Sequence, residues 1–278
     1  MDRFAHSAAN LLVGNDRGQA TLECTLSGPH LVAEQACLIA VTGADLEPQI
    51  NGERAPMWMG LFLAAGDRLT FGTRNSGARA YIAVAGGFEA DRWLGSASSN
   101  LMAARGGFHG RSLKSGDVLT TAGEPRKPSV SGRALVEHLR PGYDDHTLHV
   151  IAGPHAKRLS AEHRSLLFAA PYRVSRDADR MGYRLEGPPL VISGDELLSF
   201  GLVAGAVQLP PNGQLILLMA DHHTAGGYPV VATVVSASLP IAAQLLPGDQ
   251  LRFAEVKVER ARQMRKALDT ALESLRTA

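Results

Sequence analysis

The stretch "MGLFLAAGDRLTFGTRNSGARAYIAVAGG", residues 59–87, is a series of short apolar runs separated by glycine, aspartate and asparagine. Apolar runs of about four to eight residues bounded by such turn residues are typical of strands joined by tight turns. The same pattern of short apolar runs separated by turn residues extends over residues 21–122, with "TLECTL" and "ACLIAVTG" as further examples. Because no helical patterns alternate with these runs, the sequence predicts an all-β barrel or sandwich and argues against β-α units.

A Gly-Asp pair precedes a short strand three times, at residues 66–67, 116–117 and 248–249. Glycine permits a positive φ and aspartate bonds its own backbone, so the pair favours a tight turn. The last copy lies in the second half of the chain, which suggests two related β halves, although the irregular spacing does not establish a duplication.

Helical spacing is confined to three segments. Residues 2–13 carry apolar side chains at helical spacing before Gly14, and residues 160–168 predict a second short helix. From Val258 onward, apolar residues repeat every three or four positions. This pattern predicts an amphipathic C-terminal helix that packs on the second domain or, alternatively, binds a partner.

The segment at 123–146 holds three prolines and many charges and lacks strand periodicity. We therefore place a linker there. The predicted organisation is an N-terminal β domain at 1–122, the linker at 123–146, a C-terminal β domain at 147–257 and the helix at 258–278.

The composition excludes several classes of protein. The 278 residues carry a formal net charge of +1 and only 5% aromatic side chains, which gives no basis for binding nucleic acid or an anionic membrane. Neither cysteine, Cys24 or Cys37, belongs to a Cys-x-x-Cys pair, so both are interpreted as buried small hydrophobes. No membrane-length apolar run and no signal peptide are found, and a cytoplasmic location is expected.

Common catalytic motifs are missing from the sequence. There is no Walker A motif, no Gly-x-Gly-x-x-Gly after a strand and no nucleophile elbow. The pair His222-His223 lacks further ligands at suitable spacing, and adjacent strand residues point to opposite faces. We therefore predict no metal site.

Two loops of the second half concentrate polar chemistry. The first, "SRDADRMGYRLEGPP" at 175–189, gathers three arginines and three acidic residues around Gly182. Guanidinium groups bind carboxylate, carbamate or phosphate through paired hydrogen bonds, although such a loop also occurs as a surface of internally paired charges. The second, "ADHHTAGGY" at 220–228, suits binding of a small polar acyl or carboxyl compound, whereas its histidines are equally compatible with a structural role.

These loops also carry a resemblance to a known family. The matching segments, in chain order, are "ANLLVGN", "GARAYIAVAGGF", "LGSASS", "SRDADRMGYRLEGPPL", "GAVQLPPNGQLILLMADHHTAGGYP" and "LLPGDQLRF". They resemble the biotin-dependent carboxyltransferase-like family, which includes the 5-oxoprolinase subunit designated C, KipA, allophanate hydrolase subunit 2 and a region of urea carboxylase. The resemblance covers residues 1 to about 256.

The resemblance implies a mainly β fold of two cyclophilin-like β-barrel domains with a few short helices. It implies a subunit, active only in complex, of an ATP-dependent 5-oxoprolinase that opens 5-oxo-L-proline to L-glutamate. The implied partners are the homologous KipI-like subunit, designated B, and a LamB/YcsF-like subunit, with ATP and its Mg bound in the complex. The alternatives are a urea or allophanate carboxyltransferase component, or a non-catalytic KipA-like regulator of a KipI-like protein. No biotinylation sequence is present, so biotin is not attached to this chain.

The same resemblance assigns the site residues. The proton-handling candidates are Asp221, His222 and Asp179. The substrate-binding candidates are Arg180, Arg184, Thr224, Gly226, Gly227 and Tyr228.

Two departures from the family pattern stand out. Ala225 occupies the place where a second threonine is usual, which removes one hydroxyl near the expected ligand. Family members also begin with a segment that supplies a β-strand before the position of Met1. We interpret its lack as a start codon assigned too late, with a truncated chain as the alternative.

Overall fold

A computed structural model describes residues 1–123 and 132–277. Of the predicted linker at 123–146, residues 124–131 lie outside the described residues, and the predicted domain boundaries stay a prediction. No helix in the described part of the chain combines the length and apolar character needed to span a membrane.

The chain forms two compact units, each with its own apolar core. The unit that we call the sheet unit contains Arg3–Arg140 and the residues from Thr270 onward. The barrel unit contains Met1–Asp2 and Pro141–Asp269. Strands predominate over helices, so the prediction of a mainly β chain is confirmed.

The sheet unit begins with helix α1 (Arg3–Leu12), which packs against two of its strands. The first sheet contains β1 (Leu22–Thr25), β3 (Cys37–Asp45), β6 (Gly60–Leu63) and β8 (Ser76–Val84), in the order β1-β8-β3-β6. The second contains β2 (Leu31–Val32), β4 (Pro48–Ile50), β5 (Glu53–Arg54) and β7 (Arg68–Phe71), in the order β2-β7-β4-β5. The buried Thr42 hydroxyl in β3 donates to the Ala5 carbonyl of α1 at 2.7 Å and fixes the helix on the first sheet.

The chain passes from the first sheet into the second at the end of β3. The register of β3 against β8 shifts between Gly43 and Asp45, and Glu47 just beyond has a φ of +53°. A bulge followed by a left-handed residue bends a strand sharply. Because this bend starts a second sheet instead of extending the first, the described strands of this unit lie in two open sheets. The family resemblance implies a barrel for this unit as well, whereas its described strands form two open sheets.

The barrel unit is built on a closed barrel of seven strands. They are β9 (Thr147–Ala152), β10 (Tyr172–Val174), β11 (Gly182–Glu186), β13 (Ala206–Gln208), β14 (Ile216–Leu218), β16 (Val230–Val234) and β17 (Gln250–Glu255). Their order around the barrel is β10-β11-β14-β13-β16-β9-β17. The pairing of β17 with β9 is parallel and the other pairings are antiparallel.

Shorter elements decorate the barrel. They are β12 (Phe200–Gly201), which pairs with β15 (Ala225–Gly226), and helices α2 (Ala161–Ala169) and α3 (Leu239–Ala242). The C-terminal helix α4 (Val258–Thr277) belongs to the barrel unit up to Asp269 and to the sheet unit from Thr270 onward. Helix α2 begins where the sequence places it, because the Ser160 hydroxyl accepts the N–H of His163 at 3.2 Å as an N-cap.

The repeated Gly-Asp pair forms the predicted turn in both units. Gly66 has a φ of +92°, and Asp67 accepts the backbone N–H of Ala64 at 2.7 Å. The other two pairs make the same bond three residues back, from Lys114 to Asp117 at 2.7 Å and from Leu246 to Asp249 at 2.8 Å. The turn prediction is therefore confirmed at all three positions.

Candidate functional site

A row of three side chains crosses the outer face of the barrel. In the antiparallel ladder Arg184 lies opposite Ile216, and Ile216 lies opposite Gln208. Directly opposite residues in antiparallel strands point to the same side of the sheet. Because the alternating neighbours Tyr183 and Leu185 are buried in the barrel core, the row faces outward.

A cavity of about 820 Å³ covers this row. Its volume lies in the range of small-molecule binding sites. Both loops singled out in the sequence contribute to it, together with parts of a third segment that contains residues 190–197. The loop contributions are Asp177, Asp179, Met181 and Gly182 from the first, and His223, Ala225, Gly226, Gly227 and Tyr228 from the second.

The paired strands β12 and β15 lie over one side of the outer face. They are attached by a small apolar cluster, separate from the barrel core, which contains Ala206, Leu218 and Val230 with Phe200, Leu202 and Ile216 packed against them. Burial of this cluster holds the covering strands next to the cavity.

The two glycines of the second loop are explained by close packing. Neither Gly226 nor Gly227 is at a positive φ. A Cβ at Gly227 would lie 3.0 Å from the carbonyl oxygen of Leu197, and a Cβ at Gly226 would lie 3.0 Å from Cδ1 of Leu202. The glycines therefore allow the second loop to approach residues on both sides of β12.

Two arginines line the cavity, and they differ in their bonding. Arg158 donates to the backbone carbonyl of Asp195 at 2.7 Å, which ties it to the wall. Arg184 is exposed on β11, and its guanidinium has no hydrogen bond or ion pair with any residue that the structure describes. Arg184 is thus available to bind an anionic group.

The two loops meet through Arg180 and Asp221, outside the cavity lining. Arg180 Nε donates to Asp221 Oδ2 at 2.8 Å, and the backbone N–H of Asp221 donates to the Arg180 carbonyl at 2.8 Å. Neither residue is among those that line the cavity. The structure therefore places this predicted acid and this predicted substrate arginine in one ion pair beside the site.

Asp179 lines the cavity and also shapes its own loop. Its Oδ1 accepts the backbone N–H groups of Met181 at 2.8 Å and Gly182 at 3.0 Å. These bonds set the turn that leads into β11 and so position Arg184 two residues beyond Gly182.

Of the remaining candidates in the second loop, one lines the cavity and two lie outside its lining. Tyr228 lines the cavity and is 47% exposed, whereas His222 and Thr224 are not part of the lining. His222 Nδ1 lies 2.6 Å from the carbonyl oxygen of His223. Since a carbonyl only accepts, Nδ1 is the donor of this bond.

A histidine missed by the sequence interpretation supports the cavity edge. His155 Nδ1 accepts the N–H of Val230 at 3.1 Å, and its ring lies 5.0 Å from that of Phe200. Burial, and then the positive charge of Arg158, lower the pKa of His155. The ring is therefore a neutral acceptor that fixes the start of β16.

The lining combines both signs of charge. It contains two guanidinium groups and four carboxylates, from Arg158, Arg184, Asp177, Asp179, Asp195 and Glu196. Within the described ranges, no three histidine, cysteine, aspartate or glutamate side chains converge in a way that would hold a metal ion. The chemistry that this cavity offers is hydrogen bonding and ion pairing with a small polar ligand.

One further lining residue escaped the sequence interpretation. Gln208 belongs to the cavity wall and is only 5% exposed. The available signal was a polar side chain at an outward position of the otherwise apolar strand "AVQL" at residues 206–209.

Comparisons with known proteins agree with this architecture. The family model described as "Carboxyltransferase domain, subdomain A and B" matches residues 1–255. The chain is 36% identical to the 5-oxoprolinase subunit designated C of Escherichia coli (strain K12), over 99% of this chain and 87% of the relative. It is 35% identical to a putative urea carboxylase of Emericella nidulans, over 91% of this chain and 21% of the relative.

A solved structure shares the fold. The crystal structure of Kluyveromyces lactis urea carboxylase superposes with a TM-score of 0.91 at 27% identity. That match covers 99% of this chain and 26% of the larger protein, so the chain corresponds to one part of it. The chain belongs to the family of carboxyltransferase domains that contain subdomains A and B.

Proposed function

We propose that this chain is the carboxyltransferase-type subunit of an ATP-dependent 5-oxoprolinase, which opens 5-oxo-L-proline to L-glutamate. The observation that carries the proposal is the match to relatives named as a 5-oxoprolinase subunit, the one designated C, over nearly the full length of both chains. The urea carboxylase and urea amidolyase relatives, by contrast, are matched over about a fifth of their length or less.

The cavity supports a small ligand that carries a carboxylate. Arg184 is a guanidinium without a protein partner among the described residues, and its planar fork suits two hydrogen bonds to one carboxylate. Apolar side chains such as Ile216 and Leu190 supply the rest of the surface on which a small ring would lie. A ligand of this kind needs only part of a cavity of about 820 Å³, which leaves room for a second reactant.

In the proposed reaction, water attacks the lactam carbonyl and the C–N bond breaks, with ATP hydrolysis as the driving reaction. We propose that Arg184 holds the substrate carboxylate and that Asp221 or His222 handles a proton at the rim, with Tyr228 and Asp179 at the wall. The steps assigned to this chain are those of its own side chains.

We assign a positioning role to the other loop residues, which orient Asp221 and the backbone of the second loop. Arg180 orients Asp221 through their ion pair. Thr224, with Gly226 and Gly227, sets the backbone of the second loop, because its carbonyl accepts the N–H of Leu202 at 2.9 Å and the glycines permit the close approach that follows.

The proposed assembly includes the KipI-like subunit and a LamB/YcsF-like subunit. The word "subunit" in the names of the relatives supports the expectation that turnover requires other chains. The alternative of a urea or allophanate carboxyltransferase component is favoured by the likeness to urea carboxylase. Biotin, in that case, would be carried by another protein or domain.

The test is reconstitution of the full chain with those two subunits, followed by measurement of 5-oxoproline-dependent ATP hydrolysis and of glutamate formed. Arg184→Ala is expected to raise KM strongly, since it removes the carboxylate partner. Arg173→Ala is the matched control, because Arg173 is an exposed arginine on the adjacent strand β10 and is not part of the lining.

Three outcomes separate the candidates. Glutamate formation that depends on 5-oxoproline supports the proposal. Carboxylation of urea from carboxybiotin, without glutamate formation, would establish the carboxyltransferase alternative. Complex formation with full activity in both Arg184→Ala and Asp221→Ala would indicate a non-catalytic regulator.

A further inference from the structure

Gln208 presents its side-chain amide to the cavity without a protein partner. The residue is 5% exposed and lines the cavity, and its amide makes no hydrogen bond with any described residue. Neither amide atom is fully enclosed without a partner, so what remains accessible of this side chain opens onto the cavity. An amide in this position, with both a donor and an acceptor, is placed to hydrogen-bond with a ligand.

The local backbone holds Gln208 in this position. The register of β13 against β16 shifts between Val207 and Gln208, because Val231 of β16 is an extra, unmatched residue that forms a bulge opposite Gln208. Bulges of this kind redirect a side chain and occur often beside binding sites. The next residue, Leu209, donates its N–H to the Pro229 carbonyl at 2.9 Å, which re-anchors the strand immediately after the bulge.

The glycine loop leaves room for this amide. A Cβ at Gly226 would lie in van der Waals contact with Nε2 of Gln208, at 3.5 Å, so the amide lies close against β15. The side chain is thus confined between the barrel and β15, and its end faces the cavity at a defined place.

The row from Arg184 through Ile216 to Gln208 matches a specific kind of ligand. The three residues point to the same side, and adjacent strands are roughly 4.8 Å apart. A cation at one end, an apolar side chain in the middle and an amide at the other end complement a short ligand with a carboxylate, methylene groups and an amide.

We propose that Gln208 recognises the amide edge of the substrate, with its carbonyl accepting the ligand N–H and its NH₂ donating to the ligand carbonyl. In this arrangement Arg184 binds the carboxylate and Ile216 contacts the apolar face of the ring. A primary amide contains both a donor and an acceptor, so it pairs with the adjacent N–H and C=O of a cis amide when its oxygen faces the N–H and its NH₂ faces the C=O. The identity of the ligand as 5-oxo-L-proline rests on the proposed function, whereas the preference for a cis amide rests on Gln208 alone.

The test measures binding of three probes to the full chain by ligand-observed NMR. They are 5-oxo-L-proline, cyclopentanecarboxylate, which lacks the amide, and 2-pyrrolidinone, which lacks the carboxylate. Gln208→Met keeps the length of the side chain and removes both hydrogen-bonding groups. Gln250→Leu is the matched control, since Gln250 is an exposed glutamine of the same barrel outside the cavity.

The wild-type chain is expected to prefer 5-oxo-L-proline over cyclopentanecarboxylate by about 10- to 100-fold, the effect of leaving a buried polar group unpaired. Gln208→Met should reduce this preference to within about twofold while cyclopentanecarboxylate binding changes little, and Gln250→Leu should leave the preference intact. Circular dichroism of each variant checks that it remains folded.

A folded Gln208→Met protein that retains the wild-type preference overturns the inference, even if the reconstituted complex forms glutamate. Failure of the wild-type chain to bind any of the three probes overturns it as well. If the complex forms no glutamate but 2-pyrrolidinone binding depends on Gln208, the inference stands and the proposed function fails.

Discussion

The Arg180–Asp221 ion pair joins the two loops but is expected to add little stability. Arg180 Nε lies 2.8 Å from Asp221 Oδ2, whereas Nη2 lies 3.4 Å from Oδ1, so only one branch of the guanidinium fork is well placed. The side chains are 37% and 50% exposed, respectively. Water therefore screens the charges.

The magnitude follows from this exposure. Two unit charges about 4 Å apart attract by about 1 kcal/mol in bulk water, and ordering two long side chains offsets part of that gain. We expect a coupling free energy of about 0.5 kcal/mol between Arg180 and Asp221. At 1 M salt, where the screening length is about 3 Å, the coupling should fall to about half or less.

The assay is a double-mutant cycle with Arg180→Ala, Asp221→Ala and the double variant, followed by urea unfolding at low and high salt. A coupling above about 2 kcal/mol, or one that salt leaves unchanged, would refute the reasoning that the pair is solvent-screened. Because both single variants should stay folded, their activities in the reconstituted complex can be compared directly. If Asp221 handles a proton, Asp221→Ala should reduce kcat by about 10²- to 10⁴-fold, and Arg180→Ala should reduce it less.

The remaining predictions concern the core, the cavity wall and two titratable groups. Leu185→Ala, at a position 1% exposed in the barrel core, should lower the free energy of unfolding by about 3 kcal/mol in urea melts. Gly227→Ala should weaken 5-oxo-L-proline binding because its Cβ meets a backbone carbonyl at 3.0 Å, whereas Gly201→Ala, with nothing within 4 Å, should not. Burial raises the pKa of Cys24 to about 12, so iodoacetamide at pH 8 should leave Cys24 unmodified until the chain unfolds, as mass spectrometry would show. Burial lowers the pKa of His6 from 6.5, so the unfolded state binds the proton more readily and stability should fall as the pH drops below 6.5; His6→Gln should flatten that slope.

Much of the fold is predictable from local rules. The Gly-Asp turns follow from the φ freedom of glycine and the short reach of aspartate, and alternation in "GYRLE" at 182–186 separates core from outer face. The two open sheets of the sheet unit were harder to predict from the sequence. The register shift at Gly43 and the left-handed backbone of Glu47 leave no strong signal in the pattern of apolar and polar residues.

The candidate site, like the fold, was predictable from the sequence only in part. Residue types alone pointed to the two polar loops, because clustered guanidinium groups and a Gly-Gly pair are visible in the sequence. The choice of Arg184 within the first loop came from the family resemblance. The sequence could not separate the cavity wall from the rim, so Asp221 and His222 were grouped with residues that line the cavity. It also passed over Gln208, whose local signal is limited to one polar residue in the apolar strand "AVQL" at residues 206–209.

By itself, then, the sequence determined that the chain is mainly β, where its turns lie and which two loops carry the polar chemistry, because those properties depend on neighbouring residues. Only the tertiary structure decided that Arg184, Ile216 and Gln208 form one row and that Asp221 is paired with Arg180. Strand register and loop packing bring together residues that are distant in the chain, and no local pattern encodes those distances.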